Sequence, residues 1–288
     1  MSKGLFITGT DTDIGKTYVT ALIVKTMRQA GYDAGYYKAA ISGAPTVAAS
    51  DAGFVNKFAD IHEPEDMILS YLYQHAVSPH LAAKLEGHPL EKEVILQAWK
   101  RVTEAYPYVT MEGSGGIVCP IRHDEKAHYY LTDIIGWLHL PVLVVADAGL
   151  GTINHVVTTC EYIKNRHIPI KGIILNNWQG GVMEEDNVKM IEEITGVKVI
   201  ALVKKGDTIL HCDPKVLEGC YAEVLVIEGM AVLPGEALIK SLSAFILGFL
   251  CNARNGMTRI ASYLRSPMTK QCIKILIKAD SMNESVLP

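Results

Sequence analysis

Along residues 1–224 short apolar runs alternate with amphipathic stretches, and each kind predicts a different element. "GLFITG" (4–9) is an apolar run closed by glycine and predicts a strand. In "KTYVTALIVKTMRQAG" the residues Val19, Ile23 and Met27 recur every four positions and Gly31 ends the pattern, which predicts a helix. "DAGYYKAA" (33–40) predicts a second strand, with Lys38 near its end. "HLAAKLEG" and "EKEVILQAWKRVTEAY" predict helices, and "YVTMEGSGG" (108–116) a strand entering a glycine turn. "TDIIGWLHL" reads as helix, "PVLVVADAG" (141–149) as a buried strand, "TINHVVTTCEYIKNRH" as helix and "IKGIILNNW" (170–178) as another buried strand. "MEEDNVKMIEEITG" predicts a helix and "KVIALV" (198–203) the last strand.

Repetition of βαβα with near-continuous apolar strands predicts an α/β fold: a mainly parallel central sheet with helices on both faces, in three layers. Ligands in such sheets bind beyond the carboxyl ends of the strands. The clusters "GTDTDIGKT", "KAAISG", "EGSGG", "DAGLGTINH" and "NNW" all fall at such ends. The alternation stops near residue 224. The chain thus divides into a domain over 1–224 and an extension over 225–288, with helical patterns at 236–251 and 268–279 and no recognisable chemistry.

Composition narrows the class. The chain of 288 residues is 49% hydrophobic and 20% charged, an ordinary globular profile. A formal net charge of −4 gives no reason to expect nucleic acid as a partner. The extension is the basic part, with seven Lys/Arg against four Asp/Glu, in a chain that carries 27 and 31 in all. Six cysteines are scattered without a C-x-x-C, which fits idle thiols in a reducing compartment. The N-terminus lacks the apolar core of a signal peptide, and "SLSAFILGFLC" (241–251) is shorter than the ~20 residues a span needs. A cytoplasmic protein without a membrane partner is the expectation. Ten histidines show no H-E-x-x-H spacing, so none is expected to bind metal.

Chemistry concentrates in "GTDTDIGKT" (9–17). The standard phosphate loop, G-x-x-x-x-G-K-[ST], would place its first glycine at position 10; there stands Thr10, and the glycine is Gly9. The context of strand, loop and helix is nonetheless that of a phosphate site. Backbone N–H groups and the helix dipole favour an anion there, Lys16 adds a point charge, and the Thr17 hydroxyl suits Mg²⁺. Glu112, at the end of an apolar strand, would be costly if left unpaired. Asp51 follows "AAS" in a predicted loop, where a helix N-cap is the plainer role. A lone Lys38 is more often a solvated residue, and Ser42 suits ordinary turn chemistry. "GLGTINH" opens a helix after a strand and forms a second anion site, with Thr152 as a candidate cap.

G-T-D-T-x-[IV]-G-K-T resembles the signature of the dethiobiotin synthetase family, in which the lengthened loop is the rule. "GYYKAAISG" resembles that family's G-Y-x-K-P-[VI]-x-S-G, and "SPHLAAKLEGHPL" its S-P-H-x-A-x-x-x-E-G. "MEGSGGIVCPI" resembles V-E-G-A-G-G-x-x-x-P-[LI], and "LGTINHVVTTCEYI" resembles L-G-x-I-N-H-x-x-L-T. The five motifs occur in order over about residues 3–220.

The resemblance implies a P-loop NTPase-like fold and an ATP- and Mg²⁺-dependent ligase of biotin biosynthesis, acting as a homodimer. The substrates would be 7,8-diaminopelargonic acid and CO₂, joined through a carbamate and a carbamic–phosphoric anhydride. It implies Lys16, Lys38 and Thr12 as catalytic residues, and Thr17, Asp51 and Glu112 as metal ligands. Nucleotide binding would fall to Asp13, Ile14, Gly15, Lys16, Thr17, Tyr18, Glu112 and Asn176. Substrate binding would fall to Lys38, Ser42, Leu150, Gly151 and Asn154. His80 and His155 lie inside these motifs as structural supports.

Two departures stand out: Ala39 replaces the family proline, and "LVKKGDTIL" (202–210) lacks the glycine and proline of L-G-x-I-P, which bears on nucleotide choice. The alternative reading is a nucleotide switch of the partition-ATPase type with a membrane- or partner-binding tail. Such switches carry a lysine early in the loop, where this chain has Thr10, Asp11 and Thr12. An amidating ligase of the cobyrinic acid type would need a glutaminase domain, for which the tail bearing Cys251 and Cys272 is too short.

Overall fold

The structure, a computed structural model, describes residues 2–224. In chain order its strands are β1 (Lys3–Gly9), β2 (Ala34–Ser42), β3 (Leu69–Tyr73), β4 (Tyr108–Glu112), β5 (Pro120–His123), β6 (His128–Tyr130), β7 (Val142–Asp147), β8 (Ile170–Asn176), β9 (Val199–Leu202) and β10 (Ala222–Glu223). The helices are α1 (Lys16–Gln29), α2 (Asp51–Phe58), α3 (Glu65–Ile68), α4 (Pro79–Glu86), α5 (Lys92–Ala105), α6 (Leu131–Leu138), α7 (Thr152–Lys164), α8 (Val182–Thr195) and α9 (Pro214–Glu218). The helical patterns at 236–251 and 268–279 lie outside the described residues.

Strands without a polar side to offer water take the middle of the sheet. β1, β7 and β8 are apolar on both faces, and parallel strands of that kind are stable only when helices cover both sides. The main sheet has the order β3-β2-β4-β1-β7-β8-β9, every pair parallel. β10 adds antiparallel pairs to Lys3 and Gly4 of β1, before the β7 ladder begins at Phe6. The predicted parallel sheet is therefore observed, but β9 is not the last strand.

Alternation along the strands separates the two faces. Trp99 of α5 packs against Tyr37 of β2 and fills the space a side chain at Gly4 would take. Tyr36 and Lys38 point the other way, toward α1, whose Thr17 reaches Glu112 of β4.

Two local expectations change. β2 continues through Ser42 because its ladder with β3 runs from Lys38↔Leu69 to Ser42↔Tyr73, so Lys38 is mid-strand rather than at a strand end. Asp51 is neither in a loop nor an N-cap. Ser50 holds the cap position and Asp51 is the first residue of α2, where a carboxylate faces the positive end of the helix dipole.

Candidate active site

The phosphate loop is shaped by what glycine omits. A side chain at Gly9 would meet Lys16 Cδ at 2.7 Å and Ile14 Cδ1 at 2.8 Å, so the bare backbone at 9 lets Lys16 fold across the strand end. That packing calls for glycine at position 9. Asp13 and Gly15 have φ of 58° and 87°, and these left-handed turns bring the chain into α1. A side chain at Gly15 would collide with Asn176 Nδ2, which itself donates to the Ile14 carbonyl at 2.9 Å. Asn176 thus braces the loop from the end of β8. Val19 N–H makes the first helical bond, to Gly15, which leaves the N–H groups just before it directed out of the helix start.

Behind the loop lies an ion cluster. Lys38 Nζ donates to Asp51 Oδ2 and to Glu112 Oε1, each at 2.6 Å. Thr17 Oγ1 donates to the same Glu112 oxygen at 2.7 Å. The Glu112 side chain is 0% exposed and that of Lys38 4%, whereas Asp51 at 48% stands at the mouth. Burial alone would pull the Lys38 pKa down, but the Glu112 and Asp51 charges outweigh it and hold the ammonium above its usual value. For Asp51 burial pushes upward, and the opposing pull of Lys38 leaves its pKa below the ordinary value. Lys16 is lowered, first by burial and then by the Lys38 charge, and its Nζ donates to the Asp11 carbonyl at 2.6 Å.

The donor chemistry suits Mg²⁺. Thr17, Asp51 and Glu112 bring one hydroxyl and two carboxylates together, hard oxygens of the kind this ion takes while keeping several waters. Among the described residues no group of three or more His, Cys, Asp or Glu is arranged to hold a metal. The Thr17 hydroxyl and solvent are therefore needed to complete a set.

Other sequence-predicted residues surround this centre. Thr12 is exposed on the loop and lines a cavity of about 540 Å³ with Gly115, Cys119 and Tyr162. Ser42, at the end of β2, donates to the Val77 carbonyl at 2.6 Å. Tyr18 donates its hydroxyl to the Asp207 carbonyl, tying α1 to the divergent segment at 202–210.

The second predicted anion site stands apart from Lys38. Gly151, with φ of 89°, is the N-cap of α7 rather than Thr152, which is its first residue. Leu150 is 92% exposed and Asn154 is also exposed. This loop follows β7, three strand spacings from β2, roughly 14 Å at the usual interval. Lys16, Thr17, Lys38, Asp51 and Glu112 are thus brought together, whereas Leu150, Gly151 and Asn154 follow β7, beside β1 and its phosphate loop but three strands from Lys38.

Tyr36 was missed by sequence reasoning. Its hydroxyl donates to Glu112 Oε2 at 2.9 Å. The available signal was strand parity, because Tyr36 lies two residues before Lys38 and so shares its face.

A family model described as an AAA domain matches residues 3–209. The ATP-dependent dethiobiotin synthetase BioD of Brachyspira hyodysenteriae is 49% identical over 222 residues, covering 77% of this chain and 100% of the relative. That of Clostridium novyi is 47% identical over 210 residues, covering 71% and 88%. Among solved structures, the MinC:MinD cell division protein complex of Aquifex aeolicus matches at TM-score 0.46 and 13% identity, over 71% of this chain and 82% of that one, too distant to bear on activity. Identity approaching one residue in two, over the full length of the Brachyspira protein, decides the matter: the chain belongs to the ATP-dependent dethiobiotin synthetase family.

Proposed function

We propose that this chain is the ATP- and Mg²⁺-dependent ligase that converts 7,8-diaminopelargonic acid and CO₂ to dethiobiotin, ADP and phosphate. The observation that carries the site assignment is the buried Lys38, bridged by two carboxylates and linked through Thr17 to the phosphate loop. An ammonium has three donors. Two are taken by Asp51 and Glu112, and the third is left for a carbamate oxygen. With its pKa held up, Lys38 keeps its proton and acts as a fixed cation that orients the carbamate; it does not serve as a base. Lys16 and the N–H groups of residues 13–18 hold the triphosphate, and Thr12 lies beside the reacting groups. Mg²⁺, held by Thr17, Asp51 and Glu112, would neutralise phosphate charge. Ser42 contacts the diamine end, and Glu112 and Asn176 line the nucleotide.

The distance between the β7–α7 loop and Lys38 supports a homodimer. In it, the Leu150–Asn154 segment of one subunit takes the carboxylate of the substrate reacting at the other. The free cysteines among the described residues suit a cytoplasmic setting, and no described helix is long and apolar enough to cross a membrane. Nothing in the site favours the nucleotide-switch reading.

The test is phosphate release from ATP with Mg²⁺ and bicarbonate, with and without the diamine. The expected result is diamine-dependent release with dethiobiotin formed, abolished by Lys16→Ala and by Lys38→Ala. Slow release indifferent to the diamine would overturn the assignment. Light scattering of the purified protein tests the dimer.

A further inference from the structure

We infer that Tyr36 is a positioning residue that sets the metal affinity of this site by fixing the Glu112 carboxylate. The inference rests on the reading of Glu112 as a metal ligand. Tyr36 is 1% exposed, and a phenol so deeply buried needs a hydrogen-bond partner. Its partner is Glu112 Oε2, at 2.9 Å. Both residues sit on neighbouring strands in fixed register, with Tyr36 opposite Thr110 and Lys38 opposite Glu112.

The two oxygens of Glu112 have separate tasks as a result. Oε2 is held within the sheet by Tyr36. Oε1 faces the site and accepts from Thr17 and Lys38. Thr17 and Asp51 reach the cluster from helix starts, whereas Glu112 is held by the sheet itself. Without the Tyr36 hydroxyl, Oε2 keeps no partner and the carboxylate is free to rotate about its last bond. A ligand with a free rotor presents its oxygen to a metal for only part of the time. Partners that orient metal ligands are worth about 10- to 100-fold in metal affinity or activity.

Tyr37 provides an internal control. It is the next residue on the same strand, equally buried, and its hydroxyl pairs with Ser70 Oγ at 2.7 Å on the opposite face. Tyr37→Phe makes the same chemical change without touching Glu112.

Mn²⁺ serves as the probe, its binding read by electron paramagnetic resonance on the full chain with a non-hydrolysable ATP analogue. Mg²⁺ dependence of turnover and thermal melting are measured beside it. Tyr36→Phe is expected to weaken Mn²⁺ binding about tenfold and raise the half-saturating Mg²⁺ by a similar factor, with kcat at saturating Mg²⁺ changed far less. Tyr37→Phe is expected to leave both metal readouts at wild-type values. If Tyr36→Phe binds Mn²⁺ like the wild type, or if the two variants shift metal binding equally, the inference is overturned. Glu112→Gln separates the two levels. Should it leave Mn²⁺ affinity intact, the metal-ligand reading of Glu112 fails. Should it weaken Mn²⁺ while Tyr36→Phe does not, that reading stands and only the role of Tyr36 is lost.

Discussion

Lys38 and Glu112 form a pair whose energetics depend on both members being present. Glu112 is wholly buried, and with Lys38 removed its charge keeps only the Thr17 and Tyr36 hydroxyls as partners. Removing one side of a buried ion pair costs about 3–5 kcal/mol, because the other charge is left uncompensated. Lys38→Met is therefore expected to lower the urea midpoint, and Lys38→Met/Glu112→Gln to recover part of that loss, with neither variant expected to turn over. A double variant less stable than Lys38→Met would mean that the charge left behind is not the cause.

Cys119 gives a second test at this scale. Burial pushes its thiol up to about 11, from an ordinary value of 9.0, although Lys16 pulls it slightly down. A raised thiol pKa means less thiolate at any pH below it. Iodoacetamide at pH 8 should thus label Cys119 more slowly than a free thiol, and the rate should climb as pH approaches 11. Peptide mapping reads that site alone, and labelling as fast as for a free thiol would refute the assigned environment.

The types of the central residues were legible in the sequence, since the motifs carry Lys16, Thr17, Lys38 and Glu112. Their environment was not. A lysine in a strand reads as solvated until its register with Glu112 is known.

Elements with a two-sided apolar character were legible for the same reason that they fold, and β1, β7 and β8 appear within a residue or two of their predicted limits. Those that were missed have identifiable causes. α2 contains Gly53, which reads as a helix breaker, but a side chain there would collide with the Val47 carbonyl, so close packing demands the glycine. β3 is a five-residue edge strand whose burial alternates, too short to stand out beside two-sided strands. Arg122 of the short β5–β6 hairpin is tied to the rest of the chain by Glu91 at 2.6 Å and the Leu90 carbonyl at 3.1 Å, contacts that no local pattern reveals. The junction of β1, loop and α1 carries a prediction of its own. Gly15→Ala places a methyl group against Asn176 at a φ that suits glycine, so the loop must open to accept it. Affinity for a fluorescent ATP analogue should fall at least about tenfold, with far-UV circular dichroism unchanged. Asn176→Gly in the same chain removes the collision but leaves the φ strain and takes away the brace to Ile14, so it should restore only part of the binding; full restoration would show that the collision alone matters.

At the scale of the molecule the end of the described chain is fastened to its beginning. β10 pairs with Lys3 and Gly4, and Val224 N donates to the Ser2 carbonyl at 2.8 Å. Lys3 pairs with Glu218 at 2.5 Å, and the Tyr221 hydroxyl meets Thr110 Oγ1 at 2.6 Å within the core. These contacts complete the sheet around β1, the strand that leads into the phosphate loop. The Brachyspira relative is matched over 100% of its length by 77% of this chain, so the family's machinery does not require an extension of this length. We therefore propose the division at residue 224, and a chain stopped after Val224 should fold and keep diamine-dependent phosphate release within about twofold of the full chain, as an independent domain would. Its urea midpoint and its KM for ATP should likewise match. Loss of activity with an unchanged urea midpoint would assign residues 225–288 a direct part in the reaction or in subunit pairing. A lowered midpoint would instead show that the first 224 residues do not form a self-sufficient unit. A second variant, with Ala222 and Glu223 both replaced by proline in the full chain, separates closure of the sheet from the extension. Proline cannot donate to the β1 ladder, so this variant should lose stability although it keeps residues 225–288.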